Sequence, residues 1–437
     1  MKTIEQRQIR QMAAPVLLNY LLLTIFETLD KSIVGHYSVQ GFAVIGIAET
    51  PIYEITGALG VLSSAFSMIA ARLQGKKNTA DFEHAFAVTR MVSWIIGLLF
   101  FLASCIGGHF FFRHLYKIEG DTLDELLSYF YPASFTVLQN LLLFVYSAYY
   151  RNRFNTRISF YSTATATIVN LFFDASLVYG LFGLPQFGTA GAAWGSVIGL
   201  SAGLLVYQIP YYAFRRRQPI CWNQTWLLLN KIFALYPSML GQEFFEGTLF
   251  TLILSGIIAR MGTQQMAVYS LLFTVGNMIE LPIYAFATAS QTYALQNSAV
   301  GNLDLAERYL KLGRQSTGKV LAVLTLLCFI FKTQVFHLIL SDQTVIRDAG
   351  KLLAWVLGIA FIKIAYQFYM GYLQGVGKEK YIFACSLLST SVSSIAAMIV
   401  GGHLQLHSIY LVLVGKYLIL SILFASKTKA LQHQVKT

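Results

Sequence analysis

Long apolar stretches alternate with short polar ones along the whole chain of 437 residues. Each apolar stretch has roughly 20 residues or more, which is the length that an α-helix needs to cross a bilayer. The first stretch is too long for a signal-peptide core and lacks a small-residue cleavage site, so we interpret it as a span. We therefore predict an all-α polytopic membrane protein with twelve transmembrane helices, at residues 12–36, 42–71, 86–112, 126–150, 158–182, 189–214, 232–259, 265–295, 315–341, 350–375, 381–402 and 405–426.

The charged residues of the chain are few and lie mostly in its loops. They make up 12% of the sequence, against about 25% in soluble proteins, while hydrophobic residues make up 56%. Lys and Arg, which give a net charge of +12, concentrate at both termini and in the even-numbered loops. This positive-inside bias predicts cytoplasmic termini and a multi-pass protein of the cell (inner) membrane. Because the basic excess is a topology signal, we expect no nucleic-acid partner.

The sequence repeats itself after its sixth predicted span. Glu49 and Pro51 in the second span are echoed by Glu280 and Pro282 in the eighth, and all such matches lie between 222 and 231 residues apart. Both copies contain six spans and begin inside, which is typical of a parallel repeat about an axis along the membrane normal. We predict a six-helix lobe at residues 1–214, a cytoplasmic linker at 215–231 and a second six-helix lobe at 232–437, around a central cleft.

Prolines interrupt several of the predicted spans. A proline inside a helix frees a carbonyl group and permits a bend, which can serve as a hinge or remain a static kink. The candidate hinges are Pro15, Pro51, Pro237 and Pro282.

Acidic and amide side chains lie in the first and fifth spans. Asn170 and Asp174 are four residues apart, so a helix places them on one face, and Asp30 shares a face with Glu27. A carboxylate at membrane depth costs about 2.5–3.5 kcal/mol, which is tolerable where it faces a cavity. If Asp30 faces Asn170 and Asp174, a proton or a cation must neutralise the pair of acids. We therefore predict that these three residues form an H⁺ or Na⁺ coupling site; the alternative is an ion pair between Asp30 and Lys31.

The second half has its own charged residues at membrane depth. Glu243 and Glu246 lie three residues apart in the seventh span, hence on one helical face. Lys363 lies in the middle of the tenth span, too far from either end to snorkel comfortably. We predict that it pairs with Glu246 or Glu243, whereas Glu280 lines the cleft and Lys416 in the last span is structural.

Aromatic residues are abundant, and a few lie where the cleft is expected. They are candidates for stacking on a cationic aromatic ligand, although a residue of this kind is more often part of the core than a ligand contact. With two acids they form our set of substrate-cleft candidates: Glu27, Glu280, Tyr146, Tyr149, Tyr366 and Tyr369.

Several stretches together resemble the multidrug and toxic compound extrusion (MATE) family of the polysaccharide-flippase (MOP) superfamily. They are AAPVLLNYLL and ETLDKSIVG in the first span, the loop RLQGKKN, IVNLFFDASLVYGLFGLPQFGTAGAAWGSV through the fifth and sixth spans, YPSMLGQEFFEGTLF in the seventh, and QGVGKEK after the tenth. The resemblance covers nearly the whole chain. It implies a twelve-helix, two-lobe antiporter that exports organic cations against inward Na⁺ or H⁺.

The resemblance also assigns roles to individual residues. The first-span Asp of the family falls on Asp30 and its fifth-span Asn and Asp fall on Asn170 and Asp174, as in the DinF-like branch. The seventh-span Glu of the NorM-like branch falls on Glu246, but Lys363 stands where that branch has an Asp. A sixth-span hydroxyl of some DinF-like members is replaced by Ala192, so Thr189 or Ser196 would have to substitute.

Two other classes of protein deserve comparison with this antiporter. A lipid-linked oligosaccharide flippase of the same superfamily should carry several unpaired Lys or Arg residues in its cleft, and here only Lys363 and Lys31 qualify. An intramembrane enzyme would need a grouped catalytic His or Asp cluster, which the scattered histidines do not form. We therefore expect a transporter and not an enzyme. It should be a monomer in contact with membrane lipid, with a small organic substrate and no cofactor besides the coupling ion.

Overall fold

The structure, a computed structural model, describes residues 4–114, 118–214, 222–261, 263–337, 339, 342–401 and 406–436. Within these ranges it describes the backbone but not the side chains of residues 24–32, 35–36, 39–40, 42–43, 214, 222–225, 259–260, 263, 401 and 432–436.

Long helices make up nearly all of the described chain. They confirm the prediction of an all-α protein, and no strand occurs in the described ranges. The helices are α1 (Ile4–Tyr37), α2 (Val39–Gly75), α3 (Thr79–His114), α4 (Asp121–Asn152), α5 (Arg157–Tyr179), α6 (Thr189–Phe214), α7 (Trp222–Gln242), a π-helical segment (Glu243–Leu249), α8 (Phe250–Arg260), α9 (Thr263–Ala299), α10 (Leu303–Ile330), the short α11 (Lys332–His337), α12 (Gln343–Gly375), α13 (Glu379–Gly401) and α14 (Leu406–Lys436).

Seven of the described helices are long and apolar enough to cross a membrane by length and composition alone. The helix that carries Asn170 and Asp174, α5, does not meet this criterion. The seven stretches are Val44–Gly75, Thr79–His114, Thr189–Ala213, Gln264–Ala299, Gln343–Gly375, Glu379–Val400 and Leu406–Leu431.

The chain divides into two compact units. One comprises Ala14–Tyr236, and the other comprises Pro237–Thr437 together with Met1–Ala13. Residues 222–231, which we predicted to be linker, belong to α7, while residues 215–221 lie outside the described part of the chain. Thus α1 contributes its first turns to the second unit and the remainder of its length to the first.

In the first unit, α5 and α6 form a tightly packed pair. Gly180, with φ of 71°, ends α5 in the left-handed conformation that glycine adopts readily. The backbone N–H of Phe187 then donates to the carbonyl of Leu177 at 2.7 Å, which turns the chain back along α5. This turn sets the register in which α6 packs against Asn170 and Asp174.

Candidate functional site

Four glycines of α6 let this helix approach α5 closely. They recur every fourth residue, at Gly191, Gly195, Gly199 and Gly203, and so form one stripe along the helix. A Cβ atom at Gly195 would lie 1.8 Å from Asp174 Oδ1, and one at Gly199 would lie 2.5 Å from the Cβ of Asn170. The stripe therefore forms the wall against which both polar side chains of α5 pack.

Asn170 and Asp174 are buried side by side against this wall. Asp174 is fully buried and Asn170 nearly so. Asn170 Nδ2 donates to Ser196 Oγ at 3.1 Å, whereas its Oδ1 has no hydrogen-bond partner among the described residues. Of the two α6 hydroxyls considered from the sequence, Ser196 is thus the one that contacts Asn170, because Thr189 donates to Glu125 at 2.6 Å instead. The structure thus places an amide and a carboxylate side chain in a buried position between α5 and α6.

The remaining predicted members of this site lie in α1. The side chains of Asp30 and Glu27 lie outside the described residues, as does that of Lys31. The end of α1 nevertheless contacts the end of α5. Tyr179 Oη donates to the carbonyl of Ile33 at 2.9 Å, and the two helices are therefore neighbours close to the predicted position of the site.

The second unit contains a buried ion pair that differs from the predicted one. Lys363 Nζ lies 2.7 Å from Glu280 Oε1 and 2.9 Å from Glu280 Oε2. The prediction that Lys363 pairs with Glu246 or Glu243 is wrong, because α12 packs against α9 and brings Glu280 over the lysine. Glu280 is therefore a buried counter-ion, and our prediction that it lines the cleft is not supported. Tyr284 Oη also donates to Glu280, at 3.2 Å.

Glu243 and Glu246 lie in the π-helical segment, whose wider turn changes the faces that an α-helix would have given them. Glu243 is exposed. Glu246 accepts hydrogen bonds from Tyr366 Oη at 2.6 Å and from Gln242 Nε2 at 3.3 Å. The acid is thus held by two uncharged donors.

Lys416 is a further ionisable group in this region. Its side chain is buried, and its Nζ lies 3.5 Å from the ring centroid of Phe250. It interacts electrostatically with Glu246 and Lys363. From the sequence we expected a structural role for Lys416, and no spacing signal connected it to the acids of the seventh and eighth spans.

The tyrosines proposed for the cleft are largely interior. Tyr146 and Tyr149 are buried among the aromatic rings of the first unit, so the expectation that they stack on a ligand is not supported. Their hydroxyl groups contact Arg90 Nη1 at 3.3 Å and Glu83 Oε1 at 2.8 Å. In the second unit Tyr366 is also buried, and Tyr369 accepts a hydrogen bond from Arg314.

All four candidate hinge prolines lie inside helices. Pro15 is in α1, Pro51 in α2, Pro237 in α7 and Pro282 in α9. Pro15 follows the boundary at which α1 passes from one unit to the other. Their role as hinges stays a prediction.

Similarity to known proteins extends over most of the chain. The chain is 21% identical over 357 residues to the "Probable multidrug resistance protein YoeA" of Bacillus subtilis. The aligned region covers 78% of this chain and 74% of that protein. Among the described residues, no three or more His, Cys, Asp and Glu side chains are grouped so that they could hold a metal ion.

Solved structures share the fold over the full chain. An outward-facing multidrug resistance MATE family transporter of the MOP superfamily superposes with a TM-score of 0.87 at 16% identity, over 100% of this chain and 98% of its own. A MOP superfamily transporter from Pyrococcus furiosus, described by the reverse polarity of its binding pocket, superposes with a TM-score of 0.86 at 16% identity and the same coverage. These similarities confirm the predicted twelve-helix, two-lobe fold.

A family model settles the relationship, since the one described as MatE matches residues 15–175 and 239–399, one stretch in each half of the repeat. The chain therefore belongs to the MatE family of membrane transporters.

Proposed function

We propose that the protein is a cation-coupled antiporter that exports amphipathic, cationic organic compounds by alternating access. The observation that carries this proposal is the burial of Asn170 and Asp174 side by side against the glycine stripe of α6. The name of one relative, "Probable multidrug resistance protein YoeA", supports the export of organic compounds.

The chemistry of the α5 site suits a monovalent cation or a proton. A buried carboxylate is costly unless it is protonated or paired with a cation. Asn170 offers the kind of neutral oxygen that hard cations prefer, beside the carboxylate of Asp174. Loading the site would remove the negative charge and so lower the cost of closing the helices around it.

We assign Asp30 to the proposed site because of its position along α1. It precedes Ile33 by three residues, and Asp174 precedes Tyr179, the hydrogen-bond partner of Ile33, by five. Both helices run outward in the predicted topology, so the two acids precede this contact by about one turn in α1 and less than one and a half turns in α5. A pair of acids near this end of neighbouring helices would share a proton or a Na⁺ ion, as the sequence led us to expect.

Flux measurements in proteoliposomes test the proposal. We expect an imposed pH or Na⁺ gradient to drive ethidium movement by the natural protein, and Asp174→Asn to abolish it while leaving the protein folded. Asp124→Asn, a change of the same type at an exposed position near the start of α4, should retain the flux. Gradient-driven flux that persists in Asp174→Asn would contradict the assignment of the site.

The same preparation separates the antiporter from a lipid-linked oligosaccharide flippase. A flippase needs free cationic groups to bind a pyrophosphate, yet Lys363 is occupied by Glu280. We expect no movement of a fluorescent pyrophosphate-linked lipid between leaflets. Such movement without ethidium flux would favour the flippase.

A further inference from the structure

The surroundings of Lys416 do not suit a side chain that is permanently charged. Its side chain is 2% exposed, and Nζ has no hydrogen-bond partner among the residues that the structure describes. The contacts that remain are with the faces of aromatic rings, chiefly Phe250 at 3.5 Å. A ring face returns only part of the hydration that a buried ammonium loses, whereas the neutral amine loses much less.

Lys363, in the same region, differs from Lys416 because a carboxylate is placed to balance its charge. Lys363 has both oxygens of Glu280 within 2.9 Å and the ring of Tyr417 at 4.7 Å. Glu280 is therefore already neutralised. Lys416 has no acid within ion-pair distance among the described residues.

The charged groups that act on Lys416 are Glu246 from the π-helical segment and Lys363 from α12. The ionisable residues of α13, the other helix packed on α14, lie in its first turns, where Tyr381 meets Lys427 at the far end of α14. With Lys363 and Glu280 paired, Glu246 is the only one of these groups that can become a counter-ion for Lys416. In the described arrangement it is held instead by Tyr366 and Gln242.

We propose that Lys416 is a second proton-binding site, separate from the α5 site, which carries a proton during transport. In the unloaded form Nζ is a neutral amine and the Glu246 carboxylate accepts from Tyr366 and Gln242. In the loaded form Nζ has taken a proton from water and pairs with Glu246, and it returns that proton to water on the other side of the membrane. The π-helical segment, a feature common at functional sites, lets Glu246 change partners.

This inference rests on the proposed antiport, and a titration in detergent tests it without a substrate. As the pH is lowered through neutral, we expect the natural protein to take up about one proton more than Lys416→Met. Lys416→Arg should lack the same proton because a guanidinium does not deprotonate. Lys429→Met, an exposed lysine on the same helix, should titrate like the natural protein. Coinciding curves for the natural protein and both Lys416 variants would overturn the proposal.

Transport gives the second readout, with ethidium as the probe. At an imposed gradient of one pH unit, each coupled proton contributes a factor of about ten to the accumulation ratio. We expect Lys416→Met and Lys416→Arg to accumulate about tenfold less ethidium than the natural protein, with fewer protons moved per ethidium. An unchanged ratio, alongside a natural protein and an Asp174→Asn variant that behave as expected, would reject the second site and leave the antiporter standing. A natural protein without gradient-driven flux would reject the antiporter itself.

Discussion

At the scale of single residues, the contact between Lys363 and Glu280 has the clearest energetic consequence. Both oxygens of a buried carboxylate face one ammonium, so removing either partner leaves an uncompensated charge inside the protein. For stability it therefore matters more that both charges are present or both absent than which residues carry them.

We predict that Lys363→Met destabilises the protein by about 3–5 kcal/mol, whereas adding Glu280→Gln restores most of that loss, since no charge then remains unpaired. Thermal unfolding in detergent measures both. The matched control is Lys351→Met, which breaks an exposed pair with Asp348 and should cost less than about 1 kcal/mol. A double variant as unstable as Lys363→Met would contradict this account, since removing the second buried charge would then have relieved nothing.

Gly195 is a second position at which a single added carbon atom should change both stability and transport. An added Cβ would overlap Asp174 Oδ1, so Gly195→Ala must displace either the carboxylate or α6. We predict a destabilisation of about 1–3 kcal/mol together with loss of gradient-driven ethidium flux.

The control for this change is Gly57→Ala in α2, where an added Cβ would meet no heavy atom within 4 Å. It should stabilise the helix by up to about 1 kcal/mol and leave flux intact. Normal flux in Gly195→Ala would mean that the approach of α6 to Asp174 is not required for coupling.

At the scale of elements, hydropathy sufficed to predict the helices, because each span is defined by its own composition. Spacing also sufficed for Asn170 and Asp174, which lie in one regular helix. It failed for Lys363, whose partner is set by which helices pack together. A one-dimensional pattern contains no information on that packing when several acids are available.

The π-helical segment is the second reason for that failure. The i, i+3 rule that grouped Glu243 with Glu246 assumes α-helical geometry, and these residues follow a wider turn. A sequence offers no direct signal for such a turn. The glycines of the stripe on α6 recur every four residues in the sequence, whereas their contact with Asp174 depends on how α5 and α6 pack.

We predict that deleting Phe244 from the π-helical segment keeps the fold but abolishes ethidium flux. The segment can lose one residue by reverting to α-helical hydrogen bonds, whereas Glu246 then leaves Tyr366. Deleting the similarly exposed Leu252 from α8 should unfold the protein, because a regular helix cannot absorb the rotation of about 100°. Circular dichroism and thermal unfolding distinguish the two, and equal instability of both deletions would contradict the idea.

At the scale of the whole molecule, the first turns of α1 are anchored on the second unit. Glu5 Oε1 lies 3.3 Å from Arg308 Nε, and Gln8 Oε1 accepts from Tyr309 Oη at 2.5 Å, both in α10. The stretch that follows belongs to the first unit. One continuous helix, α1, therefore contributes residues to both units.

We predict that Glu5→Lys lowers the unfolding temperature modestly, by the equivalent of up to about 1 kcal/mol, because Arg308 is half exposed. The reciprocal change Arg308→Glu in the same chain should recover the loss. Thermal unfolding of the two single variants and the double variant is the measurement. A double variant no better than Glu5→Lys would show that the ion pair contributes nothing to the anchoring.

The divided α1 also limits how the protein can be taken apart. A cut between the sequence repeats would leave the carboxyl-terminal fragment without Met1–Ala13, and would expose the α10 surface around Arg308 and Tyr309. Co-expressed fragments should reassemble only when the amino-terminal fragment supplies the first turns of α1. The molecule is thus a duplicated fold in which the start of the first copy belongs to the compact unit of the second.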